Sequence, residues 1–288
     1  MSVIRIEVVG EVEDYGKNAV AVVHLNIFEY AKKHNLDHAK NILLFAHEQD
    51  VRTIILPYMQ PYGPVIDEAP ISNRRMIRKY ALSVNDPYIL TLNMIARNYG
   101  LNIVVAGIIE RAGSKIYVSS IMISPYTQLS MIRHRKIIIK DHERKLGISP
   151  GKSIAPLKVR DTIIASILDD EFYVPEMIRL LLLENSSFLL YGYSQSSPPK
   201  NVTNLVRTYS YVFSVPIIVP GSIIYYRNKV LHVTPTIVTD SEGNIIYKYV
   251  GEEQKIIIIP EHLFVASVSS NVETDTLKLI ARKYRTIL

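Results

Sequence analysis

Apolar runs of strand length alternate with segments of helical spacing along most of this 288-residue chain. Ala19–Asn26 is a mostly apolar run, and Leu36–Gln49 then places apolar residues at helical intervals. Arg52–Pro57 is a second apolar run, and Asn85–Tyr99 has a second helical pattern whose Asn-Asp-Pro start is typical of a helix N-terminus. Strands that alternate with helices, interrupted by hairpins, predict an α/β protein with mixed sheets.

The alternation continues through the rest of the chain. Strands are predicted at Leu101–Glu110, Lys115–Ser124, Leu129–Ile139, Thr162–Leu168, Ser187–Tyr193, Val215–Pro220, Leu231–Thr239 and Asn244–Tyr249, and helices at Pro175–Leu183, Val202–Tyr211 and Glu273–Tyr284. Asp240–Gly243 has the residue types of a hairpin turn. Because no repeat and no long linker divides the sequence, residues 1–288 are predicted to form one domain.

The absence of cysteine excludes whole classes of chemistry. With no Cys in the chain, disulfides, thiolate–metal sites and cysteine nucleophiles are all impossible. His34 and His38 have the spacing of two metal ligands on a helix, but no third ligand accompanies them, so we expect no metal and no cofactor.

Composition also bears on location and origin. No apolar run is long enough to span a membrane, and the charges of Arg5, Glu7, Glu11 and Glu13 argue against a signal peptide. We therefore expect a cytoplasmic protein without membrane contact. Abundant Ile and scarce Gln are typical of a thermophile.

The formal net charge of +6 raises the question of nucleic-acid binding. The basic clusters are Asn73–Lys79, Arg133–Lys136 and Arg282–Arg285. They lie far apart in the sequence, and no stacking-type aromatic motif accompanies them. We interpret them as solvated surface rather than as a nucleic-acid interface.

Three consecutive acids follow the predicted strand Thr162–Leu168. These residues are Asp169, Asp170 and Glu171, and carboxylates this close together disfavour one another's ionisation. The residues alone leave three interpretations open: a metal site, an acid–base pair and a solvated turn.

An ordered set of short motifs places these acids in a wider context. The motifs are Val20–Pro57 followed by Tyr58–Gly63, Tyr99–Arg111 with Tyr117, Arg133–Lys136, Ser166–Glu176, Leu205–Ser210 and Thr236–Ile246. Together, over about residues 19–285, they resemble the nitrilase, or carbon–nitrogen hydrolase, superfamily. The resemblance implies a four-layer αββα sandwich, with two mixed sheets face to face and helices outside. It also implies at least a homodimer, with contacts from the helix that begins near Pro175 and from the C-terminal segment.

The resemblance assigns family positions to particular residues of this chain. The family's glutamate base falls on Tyr58, its lysine on Lys136 and its cysteine nucleophile on Asp169, while Glu143 matches a second family glutamate. Asp170 and Glu171 are then expected to line the same pocket. Of the base, the lysine and the nucleophile, only Lys136 keeps the family's residue type. Tyrosine is a poor base at neutral pH, and a carboxylate is a weak nucleophile.

Three functions remain open on this basis. The first is a degenerate enzyme in which Lys136, Asp169 and Tyr58 form an inert cluster and the protein is retained to bind a ligand or an unknown protein partner. The second is an unusual C–N hydrolase in which Asp169 activates water and Lys136 polarises a carbonyl. The third is a basic module associated with nucleic acid.

Overall fold

The computed structural model describes residues 4–10, 15–16, 18–66, 74–127, 131–196, 198–264 and 282. Apart from Arg282, the predicted helix Glu273–Tyr284 lies outside the described residues.

The described residues contain fifteen strands and six α-helices. The strands are β1 (Arg5–Val8), β2 (Val20–Phe28), β3 (Thr53–Tyr58), β4 (Asn102–Ala112), β5 (Lys115–Ile123), β6 (Ile132–Arg135), β7 (Leu157–Val159), β8 (Thr162–Leu168), β9 (Phe188–Gly192), β10 (Ile217–Val219), β11 (Ser222–Tyr226), β12 (Lys229–Thr234), β13 (Thr236–Thr239), β14 (Ile245–Tyr249) and β15 (Lys255–Ile259). The helices are α1 (Lys32–His47), α2 (Arg74–Tyr80), α3 (Pro87–Tyr99), α4 (Asp141–Lys145), α5 (Pro175–Leu182) and α6 (Val202–Phe213).

The strands form two mixed sheets. The first has the order β1-β15-β2-β3-β4-β5-β6, and the β11–β12 hairpin joins it through β2; the second has the order β14-β13-β10-β9-β8-β7. Parallel pairs such as β2–β3 and β8–β9 occur beside antiparallel pairs such as β4–β5 and β7–β8. The prediction of mixed sheets is confirmed.

Helices cover the outer face of each sheet. On the first sheet, α1 packs against β2 and β3, and α3 packs against β4 and β5. On the second, α5 packs against β8 and α6 against β13, while β4 and β5 meet β8 across the space between the sheets. This arrangement is the predicted four-layer αββα sandwich.

Strand β8 shows how the apolar sequence produces two cores. Successive side chains of a strand point to opposite faces. Ile164 and Leu168 therefore join the core between the sheets, whereas Ala165 and Ile167 pack under α5 and α6. Because both faces of β8 are buried, its sequence is an almost continuous apolar run.

Two element boundaries need comment. The expected start of α3 is confirmed, because the Asp86 side chain accepts a hydrogen bond from the Tyr88 backbone N–H and Pro87 lies in the first turn. The single strand predicted at Leu231–Thr239 is wrong. Pro235 separates β12 in the first sheet from β13 in the second, and proline has no N–H to donate to a ladder.

No helix among the described residues is both long and apolar enough to cross a membrane.

Candidate functional site

The three acids lie at the end of β8, where the backbone turns sharply. Asp169 has a φ of +47°, in the left-handed region, and begins a 3-10 turn that runs from Asp169 to Tyr173. Aspartate tolerates this conformation better than most residues, since its short side chain can hydrogen-bond locally. The turn directs the Asp169 carboxylate into the protein, where the residue is only 5% exposed.

Four residues that are distant in sequence meet at this point, and we call them the Lys136 cluster. The Lys136 Nζ lies 2.8 Å from Asp169 Oδ2 and 2.7 Å from Glu143 Oε1. The Tyr58 hydroxyl donates to the same Asp169 Oδ2 at 3.0 Å. The structure thus brings together Tyr58, Lys136, Glu143 and Asp169, although their functional roles remain a prediction.

The charges within the Lys136 cluster are unequal, with one ammonium facing two carboxyl groups. Burial alone would lower the pKa of Lys136, but Asp169 and Glu143 outweigh burial and raise this pKa above its usual value. Burial raises the pKa of Glu143, and the attraction of Lys136 offsets only part of this effect. Lys136 therefore stays protonated, and the raised pKa of Glu143 means that it holds a proton more readily than a free glutamate does.

Backbone N–H groups donate hydrogen bonds to both carboxyl groups of the Lys136 cluster. Asp169 Oδ1 accepts a hydrogen bond from the Ser194 N–H at 2.9 Å. Glu143 lies in α4, and its Oε2 accepts one from the Lys140 N–H at 2.8 Å. Each oxygen of these two carboxyl groups therefore has a donor, as buried charges require.

Two glycines make room for the Tyr58 ring. A Cβ atom added at Gly107 of β4 would lie 2.4 Å from the ring of Tyr58. One added at Gly192 of β9 would lie 3.1 Å from the ring and 2.6 Å from the Ala106 carbonyl oxygen. A Cβ at position 107 would collide with the Tyr58 ring, whereas one at position 192 would collide with the Ala106 carbonyl and lie close to the ring. A tyrosine therefore fits at position 58 because residue 107 is glycine.

The other two acids of the turn do not hydrogen-bond to the Lys136 cluster, and their expected place in a common pocket stays a prediction. Asp170 has a side chain that is 42% exposed and lies 3.4 Å from the Lys140 Nζ. Glu171 is buried, but it accepts hydrogen bonds from the backbone N–H groups of Ile137 and Leu168 and contacts His134 Nε2 at 3.1 Å. Glu171 therefore fastens the turn to the chain beyond β6.

The basic cluster Arg133–Lys136 is not the solvated surface that we expected. Lys136 is fully buried, and Arg133 and Arg135 both donate to the buried carboxylate of Glu110. The Arg135 guanidinium also stacks over the Tyr117 ring at 4.1 Å. Most of this positive charge is neutralised inside the protein.

Sequence reasoning missed several residues of the site. His134, Ser194 and Gln195 all contact members of the Lys136 cluster or its supporting turn. Gln195 donates from Nε2 to the Tyr58 carbonyl oxygen. No sequence motif predicts these contacts, although His134 lies within the basic cluster that contains Lys136.

The geometry limits the chemistry of the site. All four members of the Lys136 cluster are buried, and the ammonium of Lys136 is already engaged by two carboxyl groups. A substrate carbonyl would have to enter this buried position to reach Lys136. Among the described residues, no group of three or more His, Asp or Glu side chains is arranged to hold a metal.

Comparison with known proteins assigns the family. The family model described as carbon–nitrogen hydrolase matches residues 19–262, which is most of the chain. The chain therefore belongs to the carbon–nitrogen hydrolase family. No curated protein sequence matches it significantly.

Solved structures share the fold at low sequence identity. Nit3 of Saccharomyces cerevisiae, a member of branch 10 of the nitrilase superfamily, is 20% identical and has a TM-score of 0.70, with 89% of this chain and 94% of that chain covered. A carbon–nitrogen hydrolase from Helicobacter pylori is 14% identical, with a TM-score of 0.67 and coverage of 91% and 98%. A Nesterenkonia amidase of the superfamily is 13% identical, with a TM-score of 0.67 and coverage of 92% and 99%. At these identities the likeness shows the fold alone.

Proposed function

We propose that this protein is a catalytically degenerate member of its family, retained for ligand binding or protein assembly. One observation carries the proposal: at the turn after β8, the side chain is a carboxylate that forms a buried ion pair with Lys136. In this arrangement Lys136 is a structural partner of Asp169 and Glu143 and is not available to stabilise an oxyanion.

The absence of the family's cysteine nucleophile and glutamate base also supports degeneracy. A variant of the Nesterenkonia amidase adds the acetamide moiety of fluoroacetamide covalently at its active-site cysteine. This chain contains no cysteine, and the residue in the family's base position is Tyr58, whose hydroxyl donates to Asp169. A tyrosine that donates a hydrogen bond does not act as a base, and a carboxylate held by an ammonium is a poor nucleophile.

Restoring the family's groups tests the proposal. We expect the double variant Tyr58→Glu/Asp169→Cys to show weak thiol-dependent hydrolysis of simple amides, while the unmodified protein shows none. The single variant Asp169→Cys is the matched control, because it has the thiol without the base. Equal hydrolysis by the unmodified protein and the double variant would contradict degeneracy.

A second candidate function is an unusual C–N hydrolase that uses Asp169 together with Lys136. The observation that favours it is Glu143, a buried acid with a raised pKa that lies 2.7 Å from Lys136 and therefore suits proton transfer. This candidate requires the Asp169 carboxylate, so Asp169→Asn would abolish its turnover of amides or nitriles.

We also propose that residues 1–288 form one domain and that this domain assembles as a homodimer through the outer face of α5 and α6. Large apolar side chains are exposed there, and they are Leu180, Leu183, Tyr211 and Val212. Apolar residues grouped on one exposed face are typical of protein interfaces. Proteins of this superfamily commonly form oligomers.

Sedimentation tests the dimer. We expect a dimer at micromolar concentration, and we expect Leu180→Glu/Val212→Glu to convert it to a monomer. Leu90→Glu is the matched control, because Leu90 is equally exposed on α3, on the opposite side of the sandwich. A strict monomer of the unmodified protein would contradict the proposal.

A further inference from the structure

The Lys136 cluster holds an amine and a carboxyl group in contact at a buried position. Lys136 Nζ lies 2.8 Å from Asp169 Oδ2, and neither residue is appreciably exposed. Groups fixed in this way react with effective concentrations far above those reached in solution, on the order of 10⁵ M or more for well-oriented pairs. An amine and a carboxyl group can condense to an amide, and burial favours the uncharged product over the two ions.

We propose that Lys136 and Asp169 join in an intramolecular amide bond, so that the degenerate site carries a covalent cross-link between the chain after β6 and the turn after β8. The surrounding groups occupy the positions that this condensation needs. Glu143 Oε1 lies 2.7 Å from the amine, the Ser194 N–H lies 2.9 Å from Asp169 Oδ1, and the Tyr58 hydroxyl lies 3.0 Å from Oδ2.

The proton transfers balance without any co-reactant. Glu143 relays one proton from the Lys136 ammonium to Asp169 Oδ2, which gives a neutral amine beside a neutral carboxyl group. The Lys136 nitrogen then bonds to Cγ of Asp169, and the electron pair of the C=O bond moves to Oδ1, where the Ser194 N–H stabilises the negative charge.

The second half of the condensation expels water. The nitrogen gives a further proton to Glu143, which passes it to the Oδ2 hydroxyl while Tyr58 hydrogen-bonds to the departing oxygen. The Cγ–Oδ2 bond breaks, and the C=O bond at Oδ1 forms again. An ammonium and a carboxylate have become an amide and one water molecule, and nothing has been oxidised or reduced.

The burial and raised pKa of Glu143 suit it to this relay, and other lysine–acid pairs of the described chain lack such a group. Lys140 and Asp170 are 3.4 Å apart but partly exposed. Lys32 and Asp86 are 2.9 Å apart, yet both are partly exposed. Lys255 and Glu7 are also in contact, but the Glu7 side chain is 35% exposed. Water competes at these three pairs, so compared with them the bond is expected between Lys136 and Asp169.

This inference uses the same residues as the proposed function but goes beyond it. An uncondensed ion pair would overturn the cross-link and leave the degenerate-enzyme proposal standing. Conversely, thiol-dependent hydrolysis by Tyr58→Glu/Asp169→Cys tests degeneracy without any bond at Asp169.

Peptide mass spectrometry of the unmodified full-length protein tests the bond. Trypsin cleaves after lysine and arginine, so an unlinked chain is cut after Lys136 and releases the peptides Ile137–Lys140 and Asp161–Arg179 separately. An amide at Lys136 blocks the cut there, so we expect instead one branched peptide that joins Lys136–Lys140 to Asp161–Arg179, with a mass lower than the sum of these two segments by one water molecule. Fragmentation should place the link at Lys136 and Asp169. Recovery of both peptides only in separate form, before and after prolonged warming of the folded protein, would overturn the proposal.

Matched variants identify the groups responsible. Lys140→Arg removes the neighbouring, partly exposed lysine and should leave the cross-link intact, so that the branched peptide differs in mass only by the lysine-to-arginine exchange. Lys136→Arg and Glu143→Gln should each abolish it, and circular dichroism would verify that each variant folds. Undiminished cross-linking in a folded Glu143→Gln variant would overturn the role of Glu143. Loss of water confined to a linear Asp161–Arg179 peptide would indicate an aspartate side reaction and would also overturn the cross-link.

Discussion

Strand β6 and the following residue, Lys136, supply the cations of two buried charge clusters. Carboxyl groups outnumber cations in one cluster, and cations outnumber carboxylates in the other. On one side, Lys136 meets two carboxyl groups, those of Glu143 and Asp169. On the other, Arg133 and Arg135 meet a single carboxylate, that of Glu110, which also accepts from the Ser119 hydroxyl. Glu110 and Glu143 are both buried, yet the pKa of Glu110 is lowered and that of Glu143 is raised.

The pKa values of Glu110 and Glu143 shift in opposite directions. Burial alone would raise the pKa of Glu110, but the hydrogen bonds from Arg135, Ser119 and Arg133 outweigh it and lower the pKa. Burial raises the pKa of Glu143, and the Lys136 ammonium, which Glu143 shares with Asp169, offsets only part of this effect. A buried acid that is surrounded by more cations than carboxylates therefore stays ionised, and a buried acid that shares one cation with another carboxyl group can carry a proton.

The largest expected effect is that of removing the shared cation. Lys136→Met leaves two buried carboxyl groups without their shared cation, and we expect it to reduce the free energy of unfolding by about 3–5 kcal/mol. Denaturant unfolding measures this change. Adding Asp169→Leu to Lys136→Met should recover part of the loss, whereas a change below about 1 kcal/mol for Lys136→Met alone would show that the ion pair is not needed.

A smaller effect is expected from neutralising the acid of the second cluster. Glu110→Gln keeps the shape but removes the charge that holds Arg133 and Arg135. The two arginine side chains are 27% and 28% exposed, so both can turn towards water. We expect a loss of about 1.5–3 kcal/mol in the free energy of unfolding, the range for hydrogen bonds to charged groups. A loss larger than that of Lys136→Met would reverse our ranking of the two clusters.

The pH dependence of stability should differ in sign between the two acids. The pKa of Glu110 is lowered from 4.5, so its contribution is present above pH 4.5 and is lost as the pH falls through the folded-state pKa. The pKa of Glu143 is raised from 4.5, so its contribution is present below pH 4.5 and is lost as the pH rises through the folded-state pKa.

Unfolding measured across this pH range separates the two contributions. Relative to the unmodified protein, Glu110→Gln should weaken the loss of stability below pH 4.5, and Glu143→Gln should weaken the loss above it. Changes of the same sign for both variants would contradict the contrast between the clusters.

The smallest effect is expected at Asp170, which lies beside the Lys136 cluster but faces solvent. Its pair with Lys140 is partly exposed, so Asp170→Asn should change the free energy of unfolding by less than about 1 kcal/mol. A loss comparable to that of Lys136→Met would mean that Asp170 belongs to the buried cluster after all.

Long apolar segments were predictable from the sequence because both faces of their strands are buried. The strand Thr162–Leu168 has the predicted limits, and the Asp-Pro start of α3 was recognised from its capping residues. Short elements such as α2, β7 and β15 were not predicted, since a few apolar residues fit either a strand or a helix. The exchange of sheets at Pro235 depends on tertiary packing, which local patterns do not encode.

The site was predictable where family spacing supplied the register and unpredictable where side-chain direction mattered. Tyr58, Lys136, Glu143 and Asp169 do meet. The separate directions of Asp170 and Glu171 follow from the 3-10 turn, in which successive side chains are about 120° apart because the turn has about three residues. Ser194 contributes through its backbone, and a backbone donor leaves no signal in residue type.

The central claim is that Lys136 is held by Asp169 and Glu143 and does not take part in the turnover of a substrate. The most direct measurement is ammonia release from a panel of amides, nitriles and carbamoyl compounds, made with the unmodified protein and with Asp169→Asn across a broad pH range. Our account predicts no enzyme-dependent release from either protein at any pH. Robust release by the unmodified protein that is abolished in Asp169→Asn would contradict it and would establish an active hydrolase that depends on Asp169.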